Sequence, residues 1–391
     1  MNHAHAMAWE QARNVLCIRL DNMGDVLMCT PAMRALRQSV PGRRITLLTS
    51  GSGAAVAPFI PEVDAVITYA PPWMKSSQLH DADCDLAMVQ TLREQAFDAA
   101  VIFTTYSQSA LPAAMLCYLA DIPLRLAHCR ENPYRMLSDW IPDPDPAQGI
   151  RHEVRRQLDL VQAIGSRTDN ERLSFAVRDE DMAWMQCRLL ADGIGIGKPW
   201  VLMHPGATAQ SRRYPASHWS RVIALLAAAN IDVVLSGDGS ETELIAGIIQ
   251  GAGPTAATAH SMAGQLELGQ LGAAIALASI VISNNTGPAH MTAAIGTPLV
   301  DLYALTNPQH TPWQVASRVL FHDVPCRFCY KSICPQGHND CLTKVAPTQV
   351  ASAVQSLLYK TAEAAVTRRG MFASRDNIED RHTTFREDER C

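Results

Sequence analysis

Four short polar stretches, each set directly behind an apolar run, hold the residues of this chain that could do chemistry. The first is Asn22-Met23-Gly24-Asp25, after Val15 to Leu20. A carboxylate on a strand-end turn can take a proton from a hydroxyl as a general base. An aspartate in that place can equally cap the helix expected from Val26. With a single glycine the stretch is no dinucleotide fingerprint. The second, His204 to Pro215, offers the Thr208 hydroxyl and the guanidinium groups of Arg212 and Arg213. These suit charge-assisted bonds to phosphate oxygens, although the loop lacks the G-K-[ST] end of a P-loop and could be merely a solvated basic loop. The third, Ser236-Gly-Asp-Gly-Ser-Glu241, is a glycine loop before a helix. Glu241 could accept from ribose hydroxyls or complement the helix N-terminus. The fourth, Ile280 to Pro298, runs from a buried strand through Ser283-Asn284-Asn285-Thr286 into Gly287-Pro288 and a helix stopped at Gly296. Free N–H groups and the positive end of the helix dipole make such a turn an anion site. The plainer alternative is an ordinary, well-capped βα turn.

Other clusters are weaker. Cys326, Cys329, Cys334 and Cys341 fall within 16 residues, which raises a structural zinc or iron. Their spacing is irregular for a four-thiolate ribbon, and reduced thiols are the alternative. Asp81 and Asp83 read as a helix-capping acidic cluster rather than a metal site, and His218 as structural. No G-x-S-x-G elbow supports a Ser-His-Asp triad.

These turns must be held by regular elements. Strands are expected at 15–20, 45–48, 65–69, 99–103, 173–177, 200–203, 232–235, 280–282 and 299–303. Helices are expected at 26–40, 54–59, 86–95, 109–119, 152–164, 179–191, 219–229, 241–249 and 268–277. The alternation implies parallel sheets covered by helices on both faces. Residues 139–150 are turn-rich. Three glycines and a proline at 193–199 mark a boundary between domains 14–192 and 199–346. A closing helix (347–366) and a disordered charged tail (367–391) follow.

The 391 residues suffice for two domains, and 48% hydrophobic content lets each bury a core. A net charge of −5 argues against bulk nucleic-acid binding. Most cysteines before residue 300 sit singly in apolar segments, as buried reduced thiols do. Residues 1–14 do not read as a signal peptide, and no run approaches the roughly 20 apolar residues of a spanning helix. The expected location is cytoplasmic.

In combination and order, these stretches resemble the glycosyltransferase family 9 heptosyltransferases of lipopolysaccharide core assembly, over roughly residues 14–358. Gly24-Asp25 with Thr30-Pro31, His204-Pro-Gly-Ala, Arg212-Arg213-Tyr-Pro215, Ser283 to His290 and Gly296-Thr-Pro298 carry the resemblance. His152-Glu-Val and the 326–341 cysteines also look like family features. The resemblance implies an α/β GT-B fold, two Rossmann-like doubly wound domains facing across a cleft. The N-terminal domain would bind the acceptor and carry the base, and the C-terminal one would bind the nucleotide sugar. It implies inverting, metal-independent transfer of a heptose from an ADP-activated donor to a lipopolysaccharide inner-core acceptor. No cofactor is required, the ADP-sugar being a substrate. Matched by motif, Asp25 is the catalytic carboxylate. Thr208 and Arg212, with Arg213 beside them, meet the phosphates. Glu241 and the loop around Leu266 take the nucleoside end, and Asn285, Thr286, Gly287 and His290 form the donor turn.

Two departures stand out. The family's usual N-D-T-G reads Asn284-Asn285-Thr286-Gly287, so a carboxylate is missing and Asn285, uncharged, would face sugar hydroxyls instead. That leaves the donor sugar open. Arg212 replaces the usual lysine and adds a fork. The alternatives are a protein O-heptosyltransferase of the autotransporter type, whose relatives use cysteine-bound iron, and a nucleotide-sugar-binding protein without turnover. Arg34, Arg37, Arg43, Arg44, Arg125 and Arg130 could form a basic face toward a phosphorylated glycolipid at the inner face of the inner membrane, or a solvated surface.

Overall fold

The computed structural model describes residues 3–75, 81–195 and 197–360. The expected tail and the last residues of the expected closing helix lie outside them.

Two six-stranded parallel sheets form the frame. The first comprises β1 (Asn14–Arg19), β2 (Arg44–Thr49), β3 (Ala65–Thr68), β4 (Ala99–Ile102), β5 (Leu124–Cys129) and β6 (Asp139–Pro142). The second comprises β7 (Trp200–His204), β8 (Asp232–Leu235), β9 (Ala259–Ser261), β10 (Ile280–Asn284), β11 (Leu299–Leu302) and β12 (Ser317–Leu320). Central strands such as β1 and β10 are buried on both faces, as their unbroken apolar runs require. The orders are β3-β2-β1-β4-β5-β6 and β12-β11-β10-β7-β8-β9. They are the same topology, since β7 and β10 stand in the second sheet where β1 and β4 stand in the first. In each sheet the chain reverses direction between that pair, which is where open α/β sheets receive ligands.

Four strands escape the pattern reading. In β5 (LRLAHC), Arg125 and His128 interrupt the apolar run. The Arg125 guanidinium is taken up by the backbone carbonyls of Pro123, Arg135 and Met136. β6 is an edge strand ending in Pro142, where the absent N–H costs no ladder bond. β9 and β12 are short edge strands. Conversely, 173–177 is no strand. Its N–H groups are met singly, Ser174 by the Thr30 hydroxyl and Ala176 by the Phe59 carbonyl. Phe175 instead stacks on Phe59 with ring centroids 4.8 Å apart.

The helix Met23–Ser39 follows β1 and starts earlier than expected. Its N-cap is Asn22, not Asp25; Asp25 sits in the first turn and receives the Asn22 N–H at 3.2 Å. Pro31 lies inside this helix and leaves the Leu27 carbonyl without its usual partner. The Thr30 hydroxyl fills that vacancy at 2.7 Å.

One buried apolar cluster joins the halves, running from Val15 and Leu27 through Leu202 to Val281 and Met291. The helix 347–360 packs Val350, Val354 and Leu357 into the core of the second sheet. Of the cysteines before residue 300, Cys17, Cys29, Cys117 and Cys129 are buried as expected, whereas Cys84 and Cys187 are exposed. Among the described residues no helix is long and apolar enough to cross a membrane.

Candidate active site

The two direction-reversal points face each other through a pair of glycines. A Cβ on Gly24 would stand 2.6 Å from Cδ2 of His290, and one on Gly287 would stand 2.9 Å from Sδ of Met23. The helices Met23–Ser39 and Gly287–Ile295 therefore meet at their first turns, which larger residues would hold apart. Both N-terminal dipole ends point into one cleft. A second bridge lies beside the first. The Glu153 N–H donates to the Gln309 carbonyl at 3.0 Å, and the His152 ring pairs with the Thr311 carbonyl at 2.8 Å.

On the first side, Arg19 at the end of β1 is fully buried and surrounded by three carboxylates. It lies 2.8 Å from Asp21, 3.2 Å from Asp25 and 2.7 Å from Glu153. One guanidinium against three carboxylates leaves the cluster with an excess of negative charge, which pulls its members apart. Burial pushes Asp21 up; Arg19 opposes this, and the like charge of Asp25 adds to it. Burial pushes Asp25 up too, but the Arg19 guanidinium above all, with the Asn22 N–H, holds it below the ordinary carboxylate value.

On the second side, Arg212 Nη1 reaches the Asn285 carbonyl oxygen at 3.4 Å. The Asn285 side chain is held through its amide nitrogen. It is 3% exposed, and its amide donates to Asp301 Oδ2 at 3.2 Å and to the His310 carbonyl at 2.9 Å. Burial raises Asp301 to about 7 against the lowering influence of Asn285 and Arg212. Its other oxygen, Oδ1, has no partner among the described residues. His290 is buried and pushed down to about 3, first by burial and then by His310, so it is neutral. Burial also lowers His310.

Further along the cleft, Glu241 lies across Gly206, where a Cβ would stand 1.8 Å from its Oε1. It also accepts the Asp238 N–H at 3.1 Å, so the helix-capping role expected as the alternative is real. His204 pairs with the Ser236 hydroxyl at 3.1 Å, and burial lowers it to about 4. Thr208 is exposed on the loop leading to Arg212. Arg213 is exposed, and its Nε donates to the Ala207 carbonyl at 2.7 Å. The Leu266 side chain packs against the central core, so only the chain beside it, where Gly264 donates to the Gly237 carbonyl, adjoins the glycine loop. Thr286 is the N-cap residue of the Gly287 helix, and its hydroxyl turns back to the Asn284 carbonyl.

Cys326, Cys329, Cys334 and Cys341 do line one small pocket, with His338. They form no ligand set: among the described residues no three His, Cys, Asp or Glu groups are placed to hold a metal ion. Cys334 Sγ takes the Asn339 N–H, while Cys326 and Cys341 pack toward Leu305 and Val324. Of the six arginines offered as a basic face, Arg44 and Arg130 are exposed, whereas others are engaged within the chain. Arg34 pairs with Glu62, Arg37 with Asp64, and Arg43 is buried against backbone carbonyls.

Sequence reading missed Arg19, Asp21, Glu153, Asp301 and His310 as members of the site. Arg19 and Asp301 lie within runs that otherwise read as buried strand. A charged residue in such a run was the signal available, because burial demands a partner.

Two equivalent parallel sheets with a charged cleft between their direction-reversal points define a GT-B glycosyltransferase fold. The sequence model of Glycosyltransferase family 9 (heptosyltransferase) matches residues 86–339, and the chain belongs to that family. It is 25% identical over 293 residues to lipopolysaccharide heptosyltransferase 3 of Escherichia coli, covering 74% of this chain and 83% of the relative. The solved family 9 glycosyltransferase of Veillonella parvula superposes with a TM-score of 0.75 at 20% identity, covering 89% of this chain and 98% of that one. An E. coli heptosyltransferase solved with ADP-2-deoxy-2-fluoro heptose superposes with a TM-score of 0.62 at 19% identity, covering 88% and 99%.

Proposed function

We propose that this glycosyltransferase transfers a heptose, with inversion, from an ADP-activated donor to a sugar of the lipopolysaccharide inner core. The observation that carries the reading is the meeting of the Met23 and Gly287 helix N-termini, which sets the ionised Asp25 beside the donor turn. The lipopolysaccharide relative and the ADP-sugar held by the E. coli structure support the substrates.

In this mechanism Asp25 accepts the proton of the acceptor hydroxyl. The freed oxygen forms the new bond to the anomeric carbon, while the bond from that carbon to the diphosphate oxygen breaks. ADP departs with the electron pair. Arg212, the Thr208 hydroxyl and the N–H groups at Gly287 meet the charge that builds on it. Arg19 fixes the orientation of Asp25 and keeps it ionised. Glu241 is the acceptor for hydroxyls at the nucleoside end, with Asp301 and Asn285 anchoring the turn from below.

The test is transfer from a panel of ADP- and UDP-sugars to core acceptors, by wild type and Arg212→Ala. ADP-heptose should be the best donor, and the variant should raise its KM and lower kcat. Equal use of UDP-sugars, or an unaffected variant, would overturn the assignment.

A further inference from the structure

The first half holds a cavity that the mechanism above leaves unused. It offers about 280 Å³, close to the lower end of the roughly 300–1,000 Å³ typical of small-molecule sites. That is room for one ring rather than an oligosaccharide. It lies at the carboxyl ends of β1 and β4, the direction-reversal point of the first sheet.

Its composition is specific. Ile18, Ile102, Phe103 and Ala113 make a buried apolar floor. Trp73 and Met74 from the loop after β3 form a wall, and Tyr69 meets the Trp73 ring edge-on at 5.9 Å. The polar end is Asp21 with Gln108, whose amide donates to Asp21 Oδ1 at 2.6 Å. Asp21 in turn shares the Arg19 guanidinium with Asp25, so the cavity adjoins the base.

Charge narrows what can enter. Among the described residues no lysine, arginine or histidine lines the cavity, and Asp21 is its one ionisable group. Arg19, paired with the cavity's Asp21, is fully buried and enclosed by three carboxylates. A carboxylate or phosphate brought here would meet the like charge of Asp21 and, among the described lining residues, no counter-ion. An uncharged pyranose can lay its C–H face on Trp73. Its hydroxyls can then donate to Asp21 and exchange hydrogen bonds with Gln108.

We propose that this cavity is the acceptor subsite and that it takes an uncharged pyranose, excluding rings that carry a carboxylate or phosphate. The proposal rests on the glycosyltransferase reading of the cleft and narrows its acceptor to a neutral sugar of the core.

Saturation-transfer NMR on the full chain with ADP bound tests it, using methyl mannoside, glucuronate and mannose phosphate as probes. Methyl mannoside should bind, and Trp73→Ala should weaken it at least tenfold. The two acidic sugars should give no signal. Ser107→Arg, on the cavity rim, should admit glucuronate and guards against a Trp73 variant that misfolds. Acidic sugars binding wild type as well as methyl mannoside, no binding of any probe, or indifference to Trp73→Ala would each overturn the proposal. ADP affinity is read in the same samples. A protein that binds ADP but fails the sugar test loses only this subsite, whereas failure to bind ADP sinks the donor reading itself.

Discussion

The two halves of this molecule share one strand order and put opposite chemistry at the same topological point. At the reversal point of the first sheet stand Asp21, Asp25 and Glu153 around a single arginine. At that of the second stand Arg212, neutral His290 and an asparagine whose carboxylate neighbour, Asp301, is raised to about 7. An acidic half can accept a proton from an incoming hydroxyl, and a half with cation and free N–H groups can hold a departing diphosphate. The fold supplies two equivalent crevices, and in the proposed function the residues at their rims divide the labour.

The sharpest way to break that contrast is to remove the one cation of the acidic half. Arg19→Met leaves three carboxylates without a counter-ion, and loss of one partner from a buried ion pair costs about 3–5 kcal/mol. Urea unfolding should show a loss of that order.

Making the second half acidic should be nearly as damaging. Asn285→Asp sets a second carboxylate where the amide now lies 3.2 Å from Asp301, in a site almost closed to water. A destabilisation of about 3 kcal/mol is expected, and the double variant Asn285→Asp/Asp301→Asn should recover most of it by exchanging the two groups. Asp301→Asn alone carries a pH signature. With the folded value raised to about 7 from 3.8, the unfolded chain gives up its proton first as pH rises between them, so this group's contribution to stability is lost across that window. The Tm of the variant relative to wild type should climb between those values and level off above them.

The smallest effect sharpens the contact between the halves. Gly24→Ala drives a Cβ into the buried His290 ring, which cannot yield cheaply, and should cost about 1–3 kcal/mol. Gly287→Ala meets only the Met23 thioether, a chain end that can swing away, and should cost under about 1 kcal/mol. Comparable urea midpoints for the two would argue against the close approach of the helices.

Much of this was legible in the sequence because parallel strands buried on both faces read as continuous apolar runs, and the polar turns behind them carry the site. The turns that carry Asp25, Arg212 and Asn285 were singled out that way, and the structure brings them to one cleft. Edge strands β6, β9 and β12 were not, because short strands paired on one side carry little pattern. Partnerships were hidden further still. Nothing in the sequence joins Arg19 to Glu153 or Asn285 to Asp301, since the first pair needs a helix 134 residues away to pack beside β1 and the second needs β10 and β11 to pair. Arg34 and Arg37, two of the arginines offered as a basic face, show the converse, because their partners Glu62 and Asp64 could not be seen from sequence.

The central claim is that the acidic half supplies the base while the other half binds the donor, and Asp25→Asn separates the two functions. Measured with ADP-heptose and a core acceptor, kcat should fall by about 10²–10⁴-fold, the usual worth of a positioned general base, while the Kd for ADP stays unchanged. Full turnover by Asp25→Asn would contradict the account.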